Sequence, residues 1–144
     1  MNDRVFIDTN VFVYLYSEDE PEKQSVALDI FEQSHCVTST QTLNEFSSVC
    51  LRKLSMSASD VLHAIEEIVE NCELCYIDMN TIQKALALHN KYGYRYYDCL
   101  ILSSAVINDC KILYSEDMQH NQIIDGKLKI VNPFSRTAGF VIRQ

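Results

Sequence analysis

A chain of 144 residues, 47% of them hydrophobic, can bury one sizeable core and is too short for two domains. Three glycines and two prolines exclude a low-complexity or linker-dominated chain, and no apolar run approaches the roughly 18 residues of a membrane span. A net charge of −8 argues against nucleic-acid binding driven by bulk charge, since such domains carry a basic excess.

The chain opens MNDRVFIDTN, with acids on both sides of a very short apolar run. No secretory signal has that form, so a soluble cytoplasmic protein is expected. Arg4–Asp8 is a short apolar, β-branched run that reads as a buried strand. Pro21 opens a helix continuing to about Ser34, with Val26, Ile30 and Phe31 inward. HCVTS is a second strand, and Leu43, Phe46, Cys50 and Leu54 then share one helical stripe. Ser57 and Asp60 form a capping box before Val61, Leu62, Ile65, Ile68 and Val69. ELCYI is the third strand. Ile82, Ala85, Leu86 and His89 mark a helix ending near Gly93, and Asp98 starts the apolar helix CLILSSAVIND. KILYS is the fourth strand and LKIVN a short fifth. Strands separated by helices of this length need crossover connections. The expected fold is one α/β domain over residues 1–134, with a parallel central sheet of four to five strands flanked by helices. Residues 135–144 form a C-terminal tail without clear periodicity.

Six cysteines are present. Cys36, Cys50, Cys99 and Cys110 sit singly in apolar stretches, where a reduced cysteine behaves as a small hydrophobe. Cys72 and Cys75 form a CxxC, but no second ligand pair stands at zinc-site spacing, and a strand is the wrong context for a redox motif. Reduced, partly buried thiols are expected.

In open parallel sheets the ligand crevice lies beyond the carboxyl ends of the strands. Asp8 closes the first strand and is followed by Thr9 and Asn10. Glu45 lies in the first turns of the helix after the second strand. Asp98 begins the helix before the fourth strand, and Ser115, Glu116 and Asp117 follow that strand. Taken singly these acids have ordinary explanations: Asp8 and Asp98 as helix caps, Glu45 completing a capping box with Thr42, Asp117 as a loop acid. Taken together, carboxylates gathered at one sheet end repel one another unless they share a cation or a proton. A hard ion with oxygen ligands, Mg²⁺ or Mn²⁺, suits them better than zinc. Such a cation also offsets part of the acidic charge locally.

FIDTN, TQTLNEF, YYDCLILSSA and LYSEDMQ, in this order and spacing, resemble the PIN-domain ribonucleases, especially the VapC-type toxins of bacterial toxin–antitoxin pairs. The resemblance runs from about Arg4 to Phe134 and includes the ending IIDGKLKIVNPF. It implies a Mg²⁺- or Mn²⁺-dependent endoribonuclease whose four acids are Asp8, Glu45, Asp98 and Asp117. Metal would be held by Asp8, Asp98 and Asp117, with Thr9, Asn10, Ser115 and Glu116 in support. It further implies an RNA substrate, a cognate antitoxin, a homodimer, and products with 5′-phosphate and 3′-hydroxyl ends. Close relatives often carry glycine where this chain has Asn121, a residue that tolerates left-handed backbone.

Substrate grip is expected from Arg52, Lys53, Lys91 and Arg95, with the tyrosines of KYGYRYYD stacking on unpaired bases or, equally, packing at a sheet edge or dimer interface. His63, His89 and His120 read as surface or satisfied histidines. Two other functions stay open. A haloacid-dehalogenase-type phosphatase also begins with a strand ending in Asp, but needs a second acid where Asn10 stands and a catalytic lysine. A non-catalytic module would use the acidic crevice to dock a basic peptide.

Overall fold

The computed structural model describes residues 3–135. Along the chain run β1 (Arg4–Ile7), α1 (Thr9–Tyr16), α2 (Pro21–Gln33), β2 (His35–Ser39), α3 (Thr40–Arg52), α4 (Ala58–Asn71) and β3 (Cys72–Cys75). Then come α5 (Met79–Tyr92), α6 (Tyr96–Ile107), β4 (Ile112–Tyr114), β5 (Ile123–Ile124) and β6 (Leu128–Val131). The sheet order is β3-β2-β1-β4-β6-β5. Every neighbouring pair is parallel except β5 and β6. A parallel α/β sheet flanked by helices is therefore observed, with six strands where four to five are expected from sequence.

Side-chain alternation divides the core into two layers. Val5 and Ile7 of β1 face one side with Phe12, Ala27, Ile30, Phe46 and Ile68, contributed by α1 to α4. Phe6 faces the other side with Leu88, Leu102, Leu113 and Ile130, beneath α5 and α6. On the first side, Phe12 meets Phe31 and Phe46 edge-on at centroid distances of 6.2 and 6.5 Å. On the second, α6 is buried continuously from Cys99 to Ala105, as a helix apolar on all faces must be. The small Ser103 lets α6 approach α5 closely and donates its hydroxyl to the Thr81 carbonyl at 2.7 Å.

Helix α1 (Thr9–Tyr16) has no counterpart among the elements expected from sequence. TNVFVYLY is apolar with two valines and shows no clean stripe. Asp8 nevertheless caps it, accepting from the Thr9 N–H. The α5 C-cap is Gly93 at φ +79°, where the left-handed conformation favours glycine. Asn121 takes φ +72°, the left-handed backbone expected of it. Helix α6 starts two residues earlier than expected: its N-cap is Arg95, so Asp98 lies in the first turn and is not a cap. The N-cap of α3 is Ser39, whose hydroxyl accepts from the Thr42 N–H, so Glu45 closes no capping box with Thr42. Cys72 and Cys75 lie on β3, and all six cysteines are free thiols. Of the tail, Ser135 is the last described residue, and the expectation for 136–144 lies outside the described residues.

Candidate active site

The chain runs from β1 to β2 on one side and eventually to β4 on the other, so strand order reverses between β1 and β4. The crevice at such a switch point lies beyond the strands' carboxyl ends. Asp8 stands there, one residue past β1, and its backbone N–H donates to the Tyr114 carbonyl of β4 at 3.1 Å. A cleft opens over it, lined by Asp8, Thr9, Asn10, Glu45, Ser48, Val49, Arg52, Arg95, Tyr97, Asp98, Ile101 and Asp117. All four acids proposed from the sequence border this one cleft.

Asp8 is only 7% exposed. Its Oδ1 accepts from the Thr9 N–H at 2.7 Å and its Oδ2 from the Ser115 hydroxyl at 2.9 Å. Burial pushes its carboxyl up to about 6, against the lowering effect of those two donors, and the charges of Asp117 and Glu45 push the same way. The capping role of Asp8 is real, but an ordinary cap is solvated; this one is buried among other carboxylates.

Glu45 projects from α3 with one donor on each oxygen. Thr9 Oγ1 donates to Oε1 at 2.9 Å, and Gln41 Nε2 to Oε2 at 3.3 Å. Asp98 accepts from Arg95 Nε at 3.4 Å, across a pair in which the arginine is largely exposed. Asp117 sits at the mouth, accepting from Asn10 Nδ2 at 3.3 Å, while its own N–H donates to the Ser115 hydroxyl at 3.2 Å. Partial burial raises its carboxyl, reinforced by Glu116, Asp98 and Glu45 and opposed by Arg95. Ser115 thus touches both Asp8 and the Asp117 backbone.

Glu116 points elsewhere. It accepts from the Tyr14 hydroxyl and from Lys23 Nζ, each at 2.9 Å, and does not line the cleft. Among the expected substrate-gripping cations, Arg52 and Arg95 line the cleft and Lys53 and Lys91 do not. Lys91 instead joins Lys84 on Asp125, at 3.1 and 2.6 Å. The tyrosines divide as well. Tyr92 bonds Asp125, Tyr94 bonds Gln122, and Tyr96 packs on the α5–α6 core. Tyr97 is 67% exposed and lines the cleft, its ring edge-on to Tyr96 at 5.6 Å. His89 Nδ1 contacts the Tyr94 carbonyl at 2.6 Å, and His120 Nδ1 accepts from the Asn132 N–H at 2.9 Å.

Sequence reasoning passed over Gln41 and Ser48. Gln41 stands four residues before Glu45, and that spacing on a helix puts both on one face. No lysine lines the cleft among the described residues, and the position two after Asp8 is an amide that donates to Asp117. Neither feature suits aspartyl-phosphate chemistry.

Apart from two arginines, the polar side chains lining the cleft are carboxylates, hydroxyls and one amide, oxygen-bearing groups of the kind a hard divalent cation takes. Among the described residues no three His, Cys, Asp or Glu side chains stand close enough to enclose a metal ion. The arrangement fits an open site of the Mg²⁺ kind, in which one or two carboxylates suffice and water completes the shell.

No curated protein is significantly similar to the chain in sequence. Among solved structures, a toxin–antitoxin complex from Klebsiella pneumoniae aligns with a TM-score of 0.69 at 17% identity, covering 91% of this chain and 98% of that one. VapC20 of Mycobacterium tuberculosis, described as a sarcin–ricin loop cleaving toxin, aligns at 0.64 and 15% identity over 78% of this chain and 89% of its own. VapBC2 of Rickettsia felis, solved on a DNA fragment from its promoter, aligns at 0.65 and 14% identity, with coverage of 88% and 98%. At these identities the likeness is one of fold. The PIN domain family model matches residues 5–124, a span that carries all four cleft acids, and the chain belongs to the PIN domain family.

Proposed function

We propose that the protein is a Mg²⁺- or Mn²⁺-dependent endoribonuclease and the toxin of a type II toxin–antitoxin pair. The observation that carries the reading is the buried Asp8 carboxyl at the sheet's switch point, with Glu45, Asp98 and Asp117 on the walls of the same cleft. Each acid alone is unremarkable; four around one crevice are costly without a cation to share.

In this reading Asp8, Asp98 and Asp117 would hold the metal, some of them through the waters that complete its shell. When bound, it supplies a water of lowered pKa and stabilises charge on the phosphodiester during in-line attack. The chain's own residues do the rest. Ser115 and the Thr9 N–H hold the two oxygens of Asp8, so its orientation is set before any ligand arrives. Thr9 Oγ1 and Gln41 hold those of Glu45, which orients the attacking water. Asn10 steadies Asp117. Arg52 and Arg95 line the same cleft and would meet RNA phosphates, and Tyr97 would offer a face for an unpaired base. Local cations of this sort suit a net acidic protein, because they steer the backbone only where the cleft needs it. Cleavage would leave 5′-phosphate and 3′-hydroxyl ends.

A partner is part of the proposal. The structural neighbours include toxin–antitoxin complexes, and an antitoxin segment bearing basic or aromatic side chains would complement the acidic cleft. Homodimerisation and a cytoplasmic location belong to the same reading. No helix among the described residues is long and apolar enough to cross a membrane.

The test compares cleavage of RNA oligonucleotides by wild type and Asp8→Asn, with Mg²⁺ or Mn²⁺ and with chelator. Cleavage should need the cation and vanish in the variant. A folded Asp8→Asn protein that cuts as well as wild type would remove the mechanism.

A further inference from the structure

Gln41 Nε2 makes two bonds at once. It donates to Glu45 Oε2 at 3.3 Å and to the backbone carbonyl of Tyr97 at 3.1 Å. The first acceptor lies on its own helix, one turn on. The second lies 56 residues away, in the first turn of α6, on the peptide that leads into Asp98. Gln41 is therefore a direct side-chain tie between the wall carrying Glu45 and the wall carrying Asp98. We infer that Gln41 is a positioning residue of the cleft, setting the separation and orientation of Glu45 relative to Asp98; this rests on the nuclease reading above.

Four features support the assignment. Both groups that Gln41 meets are acceptors, a carboxylate and a carbonyl, so only the NH₂ end of the amide can face them. Turning the amide over would set oxygen against oxygen twice. Its Oε1 is accordingly directed away, buried and accepting no hydrogen bond among the described residues. A buried acceptor without a donor is a cost, so the side chain is held for what its two N–H groups do. Finally, with Thr9 on one oxygen of Glu45 and Gln41 on the other, the carboxylate cannot rotate without losing a donor. Glutamine is also the right length. Methionine matches its reach but donates nothing, and asparagine keeps the amide but is one methylene too short to span both acceptors.

The test uses Gln41→Met and Gln41→Asn in the full chain, beside wild type and Asp8→Asn. Three quantities are read: Mn²⁺ affinity of the RNA-free protein by calorimetry, kcat and KM on an RNA oligonucleotide, and Tm. Both Gln41 variants should bind Mn²⁺ about tenfold more weakly and lose about tenfold in kcat, as displaced supporting hydrogen bonds do. KM should stay within about twofold, and the Tm of Gln41→Met within about 2 °C, because the methionine keeps the packing. Gln41→Met equal to wild type in Mn²⁺ affinity and kcat overturns the inference. So does a loss that tracks a falling Tm in both variants, which is a purely structural role. Active Asp8→Asn protein instead overturns the nuclease reading, so the two failures are distinguishable.

Discussion

Ser115 Oγ donates to Asp8 Oδ2 over 2.9 Å, joining the ends of β1 and β4 across the point where the sheet changes direction. The bond is buried, with Ser115 fully inaccessible, and it selects the ionised form of a carboxyl that burial otherwise pushes toward neutrality. Removing the hydroxyl removes a lowering influence. Ser115→Ala should therefore push the Asp8 carboxyl further up, so that protons compete better with the cation and the acid limb of the pH–rate profile at limiting Mg²⁺ should move to higher pH. Cleavage rates from pH 5 to 8 test this, and a limb that stays in place separates Ser115 from Asp8 ionisation.

The same raised pKa has a sign for stability. Below the unfolded value of 3.8, Asp8 is protonated in both states and contributes no difference. Between 3.8 and about 6 the folded protein binds a proton that the unfolded chain has released. The stability conferred by the neutral carboxyl is thus lost as pH rises toward 6. Above that the folded state carries a penalty of about 3 kcal/mol relative to low pH. Asp8→Asn carries no such charge. In metal-free buffer it should be several degrees more stable than wild type at pH 7.5 and close to it at pH 4, as thermal melts would show. Millimolar Mg²⁺ should raise the wild-type Tm and leave the variant's unchanged.

Much of this arrangement is legible in the sequence. An acid after a buried strand points to the crevice by topology alone, and the spacing of Asp8, Glu45, Asp98 and Asp117 puts each at a strand or helix end on one side. What escaped has identifiable causes. Helix α1 is apolar around most of its circumference, so periodicity could not separate it from a strand; its direction is set by the Asp8 cap and by Phe12 locking against Phe31 and Phe46. Strand β5 is two residues long, too short for a periodic signal, and the hairpin mark in the sequence is its Asp125–Gly126 turn. Both residues have positive φ, +53° and +67°, and Lys127 N–H closes on the Ile124 carbonyl at 3.0 Å. Neither the diversion of Glu116 to Lys23 nor that of Lys91 to Asp125 is local in sequence. Both pairings exist only once distant elements meet.

Glu116 and Asp117 are adjacent and chemically alike, yet the fold gives them different partners. Glu116 is engaged by Tyr14 and Lys23, and Lys23 also lies over the rings of Tyr14 and Phe134, at 4.8 and 5.5 Å from their centroids. Asp117 faces the cleft. Glu116→Gln should keep cleavage within about threefold and cost about 1 kcal/mol of stability through the partly buried ion pair with Lys23. Asp117→Asn should lower kcat by about 100-fold or more, as loss of a charged ligand does. Equal losses in the two variants would place Glu116 in the metal set after all.

Arg52 and Arg95 are the lysine or arginine side chains that line the cleft among the described residues. Their contribution can be measured apart from chemistry by binding RNA to catalytically silent Asp8→Asn protein at several salt concentrations. Each cation that neutralises one phosphate of a single strand contributes about 0.7 to the slope of log affinity against log salt. Arg52→Ala and Arg95→Ala should each flatten the slope by about that amount, whereas Lys91→Ala, whose ammonium is occupied by Asp125, should leave it unchanged. Tyr97→Ala should weaken binding by about 1–3 kcal/mol with the slope intact, since stacking releases no counterions. A slope that falls for Lys91 as much as for Arg52 would mean that RNA follows a different face of the protein.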